Sequence, residues 1–192
     1  MLSNESEGGE DVRLDLFVNP EFSRGASRLT ELCWIAASGI LVESWLPGSS
    51  WRRQLLRAFG ARIGKGVVIK PRVRVKFPWR LKVGDHSWIG ESVWIDNLDE
   101  VSVGKHCCLS QGAYLCTGSH DWTDPKFKLI TGPIELGHGC WVGAQASLAP
   151  GTQVEPGAVV TMGSRVSGRF AAWTVHSGSP AEFKKKRQMR SD

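Results

Sequence analysis

Five histidines are spread through the 192-residue chain, and one of them stands where regular sequence gives way to irregular: His120, in the stretch LCTGSHDWTDPKFKLITGP. An imidazole, with an ordinary pKa of about 6.5, can accept a proton from a hydroxyl near neutral pH, which makes an exposed histidine beside a loop a candidate general base. Three kinds of group could orient its ring and stabilise the imidazolium: the carboxylate of Asp121, adjacent in sequence, that of Glu100, which holds the same register one coil earlier, or a backbone carbonyl. His86, His106 and His138 fall in turn-like GDHS, GKHC and GHGC, and His176 in TVHSGSP is read as structural or close to a bound ligand. Asp96 and Asn97, in IDNLDE, are candidate acceptor contacts with a turn role as the alternative. The five cysteines form no C-x-x-C pair, and no cysteine nucleophile or metal site is expected.

The elements that must position these residues follow from a period of six. From residue 63 to residue 166 the chain divides into hexapeptides whose first position is always Ile, Leu or Val, whose fifth is mostly small or Val, and whose second and fourth are often Gly. Three times, an aliphatic-plus-polar pair follows the third hexapeptide: Leu81 with Lys82, Val101 with Ser102, Ile134 with Glu135. The higher unit is therefore a coil of about eighteen residues with three short strands, stacked in parallel on the next coil. Position one points inward and position six outward, because side chains alternate along a strand. His120, the sixth residue of LCTGSH, is thus expected on an outward strand position, at the root of a protruding loop, 121–133. The same outward position carries Trp88, Cys108 and Trp141 in one column and Trp94, Tyr114 and Ser147 in another. So large an apolar ladder predicts threefold packing into a homotrimer.

Residues 1–12 are polar and acidic and are expected to be disordered. Residues 13–62 form an N-terminal helical segment with two apolar-periodic patches, broken at LPGSS, with Ser49 or Ser50 as N-cap. Its apolar faces are expected to cover the solenoid end, the alternative being a membrane surface. The β-solenoid spans 63–168, and 169–192 is a basic C-terminal segment. The net charge is +5, with a KKKR run at 184–187 that suits an anionic ligand; nucleic acid is not the expected partner. The reduced-thiol pattern and a start without basic and apolar signal regions point to the cytoplasm.

The stretches FSRGASRL, LPGSSWRRQLLRAFGARIG, GAYLCTGSHD, LITGPIELGHGCWVGAQASLAPG and SGSPAEFKKKR resemble the hexapeptide-repeat O-acetyltransferases of the colanic-acid type, relatives of the maltose, galactoside and nodulation acetyltransferases. The resemblance covers residues 22–187 and implies a left-handed parallel β-helix, a handedness that general crossover rules would not have suggested. It implies acetyl-CoA as cosubstrate, a sugar or polysaccharide-precursor acceptor, and direct attack with His120 as base. It implies cofactor contacts at Trp141, Ala144 and Met162, and at Lys184, Lys185 and Arg187 for the phosphates. Gly168 departs from a lysine of the family. Two other readings remain: a γ-type carbonic anhydrase, disfavoured because Pro125 stands where a second histidine five residues after His120 is required, and a non-enzymatic β-helix scaffold.

Overall fold

In the computed structural model, residues 11–190 are described; residues 1–10, most of the segment expected to be disordered, lie outside them, as do 191–192. From Arg62 onward the chain winds into a parallel β-solenoid of three sheets. The first sheet has six strands, from Arg62–Ile63 through Leu81–Val83, Val101–Val103, Ile134–Leu136 and Gln153–Val154 to Arg169–Phe170. The second begins at Val68–Ile69 and ends with Thr174–Gly178 and Ala181–Lys186; the third runs from Arg74–Val75 to Arg165–Val166. Each two-residue insertion lies in the first sheet, where Leu81 pairs with Val101 and Val101 with Ile134, which makes this face the longer one.

The hexapeptide pattern has a direct packing cause. The position-one aliphatics, such as Leu109, Leu115, Val142 and Leu148, are fully buried, and small residues at position five, such as Ala113, Ala146 and Ala158, fill the corners beside them. Each buried aliphatic contributes about 1.5–3 kcal/mol relative to exposure. At position two, a Cβ on Gly84 or Gly104 would meet the next coil's backbone at 2.7 Å. At position four, one corner column adopts the left-handed conformation in Gly66, His86, His106 and Gly139 (φ 65°, 57°, 55° and 68°). His86 and His106 are therefore corner residues, and their rings stack with centroids 5.3 Å apart.

Two helices, α1 (Arg28–Ala37) and α2 (Ser50–Ala58), cap the start of the solenoid. Trp34 of α1 is buried and donates from Nε1 to Val75 O at 3.0 Å. The fully buried Arg52 of α2 donates to the carbonyls of Val42, Ser44, Leu46 and Gly48, tying the connection between the helices to itself. Ser49 holds the N-cap position of α2, but its hydroxyl bonds the backbone of Ile69 and docks the helix on the first coil. The segment is less helical than its periodicity suggests, since 17–27 and 43–49 carry no helix.

At the other end the solenoid continues past residue 168. Arg169–Phe170 extends the first sheet, Thr174–Gly178 extends the second, and the basic Ala181–Lys186 folds back antiparallel on Thr174–Gly178. The basic segment is thus the closing strand of a sheet rather than a separate tail.

Candidate active site

The chain leaves the third sheet after Cys116 and re-enters the first at Ile134. Between them, Gly118–His120 pairs antiparallel with Leu129–Thr131, Gly118 opposite Thr131 and His120 opposite Leu129. His120 therefore does not occupy an outward position of a coil strand, as its hexapeptide register suggests. It is carried off the solenoid on one arm of a hairpin, and the excursion begins at Gly118 rather than at Asp121. At its base, Gly118 passes so close to Leu98 that a Cβ there would meet its Cδ1 at 2.6 Å, and Gly132 N closes the excursion by donating to Thr117 O at 3.0 Å.

The half-buried His120 ring is held on three sides. Nδ1 is 2.8 Å from Phe127 O, the Phe127 ring stacks on it with centroids 4.2 Å apart at 11°, and Phe17 meets its edge at 5.7 Å. A carbonyl oxygen can only accept, so Nδ1 is the donor in this contact, and in the neutral ring the lone pair lies on Nε2. Phe127 adopts φ 52°, anchored by its N–H to Asp124 O at 2.8 Å, and this left-handed turn aims its carbonyl at the ring. The two carboxylates are engaged elsewhere. Asp121 Oδ1 accepts from Thr123 N at 2.9 Å and Thr123 Oγ1 at 2.6 Å, bonds that hold the carboxyl below the usual range, while Glu100 forms an ion pair with Lys82. Of the three orienting groups offered by the sequence, the backbone carbonyl is the one in contact.

The N-terminal segment straps this hairpin down. Arg13 N donates to Pro125 O at 2.7 Å, Glu21 pairs with Lys128 at 3.4 Å, and Phe17 lies between them in sequence. Nothing in the periodicity singled out Phe17, because the contact joins a segment without repeat to a loop without repeat.

Trp141, Ala144 and Met162 come together. Trp141 faces outward on the second sheet, its Nε1 donating to Ser110 Oγ at 2.8 Å; Ala144 follows at the corner, and Ala144 O accepts from Gly163 N, beside the exposed Met162, at 2.8 Å. Lys185 is reached along the same sheet, through Val159 and Val175. Lys184 and Lys185 are exposed, with Lys184 3.6 Å from Glu182. Arg187 differs: its Nη1 donates to the carbonyls of Gly139 and Gly157 at 2.9 Å each, so it closes a corner of the solenoid. Gly168 sits in a turn at φ 83°.

Asp96 pairs with Lys76 at 2.9 Å and accepts from Tyr114 Oη at 3.1 Å on the third sheet; burial pushes the Tyr114 hydroxyl well above its ordinary pKa. Asn97, expected at the acceptor, is fully buried. Its Oδ1 accepts from Phe77 N at 2.9 Å and its Nδ2 donates to Phe77 O at 2.6 Å, so it bonds one coil to the next and has no atom left for a ligand. A cleft of about 400 Å3 runs from Gly118 and Ser119 along Tyr114 and Ser147 to Arg165. A second, of about 630 Å3, lies between the hairpin base at Thr131 and the Lys82–Glu100 pair. Among the described residues, no group of three or more His, Cys, Asp or Glu side chains is arranged to hold a metal ion.

No protein-family model matches the chain. The protein of Escherichia coli (strain K12) named WcaF, for colanic acid biosynthesis acetyltransferase, is 39% identical over 167 residues, 86% of this chain and 91% of that one. The chain belongs to this acetyltransferase family. Among solved structures, the hexapeptide-repeat-containing acetyltransferase VCA0836 of Vibrio cholerae superposes with a TM-score of 0.75 at 21% identity, covering 85% of this chain and 96% of that one. A galactoside acetyltransferase in complex with coenzyme A gives 0.75 at 17% identity, covering 87% and 86%. Both show the same solenoid, so the family's fold and the coils described above agree.

Proposed function

We propose that this acetyltransferase moves an acetyl group from acetyl-CoA to a hydroxyl of a sugar or polysaccharide precursor, with His120 as general base. The observation that carries the reading is the contact of His120 Nδ1 with Phe127 O, which leaves Nε2 free to take a proton. The stacked Phe127 and the edge-on Phe17 restrict the ring to one orientation. As the acceptor hydroxyl attacks the thioester carbonyl, Nε2 takes its proton and the Phe127 carbonyl holds the resulting imidazolium. The C–S bond then breaks, and the imidazolium returns the proton to the leaving sulfur, which departs as the free thiol of coenzyme A. The Asp121 and Glu100 carboxylates act at one remove, Asp121 by fixing the hairpin turn through Thr123. The two clefts beside the hairpin are of a size for a sugar, and Asp96 stays a candidate acceptor contact.

Acetyl-CoA supplies the activated thioester acyl group. The Trp141, Ala144 and Met162 corner fits an apolar stretch of such a ligand, and Lys184 and Lys185, exposed on the same sheet, fit its phosphates. Trp88 and Trp141 are 56% and 48% exposed in one column, an apolar surface that a homotrimer would bury. The five cysteines are all unpaired, in keeping with a cytoplasmic protein. Release of free thiol from acetyl-CoA, followed across a panel of sugar acceptors, tests the reading: acceptor-dependent release supports it, and its absence with every hydroxyl acceptor refutes it.

A further inference from the structure

Among the described residues, the helical cap leaves a ridge of apolar side chains uncovered. Leu32, Ile35, Ile40, Leu41, Trp45 and Leu46 are all exposed, Ile40 and Trp45 by 73% and 72%. Between residues 32 and 48 the only charged side chain is Glu43, which is half-buried; every exposed position there is uncharged. The ridge lies over the first coil, since Trp34 and Ser49 tie the cap to Val75 and Ile69, and so it stands at one end of the solenoid axis. A cluster of exposed apolar side chains of this kind marks a place of contact.

The charge around it identifies the partner. Residues 22–84, the cap and the first coils, hold thirteen Lys and Arg against two Glu, a balance of +11, whereas the whole chain carries +5. Arg24 pairs with Glu31, and Arg72, Lys76 and Lys82 pair with Glu91, Asp96 and Glu100 from later in the chain, so among the described residues nine of the thirteen cations stand outside ion pairs. Apart from the buried Arg52, the cations are exposed or half-buried, Arg28 at the start of α1 and Lys70 on the first coil among them. Two copies meeting cap to cap would bring two strongly positive ends together, which disfavours a second copy as the occupant. Nucleic acid would meet the cations but find nothing polar on the ridge. An anionic bilayer surface satisfies both features, since its headgroups draw the cations and its interface accepts the exposed Ile, Leu and Trp side chains. We infer that the helical cap docks the protein on anionic lipid membranes through this ridge, leaving the sides of the solenoid and the His120 hairpin in water.

Co-sedimentation of the full chain with phosphatidylcholine vesicles containing phosphatidylglycerol tests this, with pure phosphatidylcholine vesicles as the neutral arm. The expected result is binding to the anionic vesicles that weakens as salt is raised, and that falls about tenfold or more in an Ile40→Glu, Trp45→Glu double variant. An Arg28→Glu, Lys70→Glu variant, which leaves the ridge intact, is expected to lose binding to the anionic vesicles as well. Both variants alter exposed side chains, so unchanged melting temperatures are expected. Absence of binding at low salt, or equal binding by the wild type and the ridge variant, overturns the inference. So does a doubled particle mass in light scattering that the ridge variant alone abolishes, which would assign the ridge to a second copy. The assay involves no acetyl transfer, so its outcome is independent of the assignment of His120.

Discussion

The ring of His120 and the backbone of Phe127 form one unit: Nδ1 lies 2.8 Å from Phe127 O, and the two rings stack 4.2 Å apart. The hydrogen bond comes from the backbone and the stacking from the side chain, so they can be separated. A Phe127→Gly variant keeps the left-handed turn and the carbonyl but removes the stack. It is expected to lower kcat by about tenfold, from looser orientation of the base, with the KM for acetyl-CoA unchanged. Steady-state kinetics at saturating acceptor read the difference.

Within the C-terminal basic run, two roles are expected to part. Replacing Lys184, Lys185 and Lys186 by Ala should raise the KM for acetyl-CoA while kcat at saturation holds, the pattern of lost uniform binding. Arg187→Ala should instead lower the melting temperature, because it leaves the Gly139 and Gly157 carbonyls without their shared donor, at a cost of about 1–3 kcal/mol. Paired kinetic and thermal measurements on the two variants distinguish them.

Asn97→Ala is expected to destabilise the protein by about 1–3 kcal/mol, since the N–H and C=O of Phe77 both lose their buried partner. Denaturant unfolding gives the magnitude. A normal melt with a raised KM for acceptor would instead place Asn97 at the ligand.

His176 links stability to pH. Its ring is packed between Phe170 and Phe183, with Nε2 on Thr174 Oγ1 at 2.8 Å and no partner for Nδ1 among the described residues, and burial holds its pKa below the ordinary imidazole value. In the unfolded chain the ring protonates below about pH 6.5, whereas the folded ring resists, so the unfolded state binds more protons and stability falls as pH drops through that range. Thermal melts are expected to show a lower melting temperature at about pH 5.5 than at about pH 7.5, with a smaller drop in His176→Gln. Identical slopes in the two proteins would contradict this.

The coils were legible because each position has one physical demand. Inward aliphatics such as Leu109 and Leu115, the close-approach glycines Gly84 and Gly104, and the paired insertions that lengthen the first sheet all appear as period. The hairpin was hidden because GSH continues the hexapeptide count even as the backbone turns to pair with Leu129–Thr131, a partner distant enough to leave no periodic trace. The same holds for Phe17 on His120, and for the exposed side of α1, whose apolar periodicity reads as burial although only Trp34 of that helix is buried. Asn97 followed the repeat but its chemistry did not declare whether it bonds a neighbouring coil or a ligand.

The central claim is that Nε2 of His120 takes the acceptor's proton. Its most direct test is the single-turnover and steady-state rate of acetyl transfer by His120→Ala, measured across pH beside the wild type. The expected result is a kcat lower by about 10²–10⁴-fold, with the KM for acetyl-CoA and the melting temperature unchanged, and loss of the wild type's acid limb in the rate–pH profile. Transfer at a near-normal rate, or an acid limb that persists in the variant, would show that another group is the base and that His120 only buttresses the hairpin.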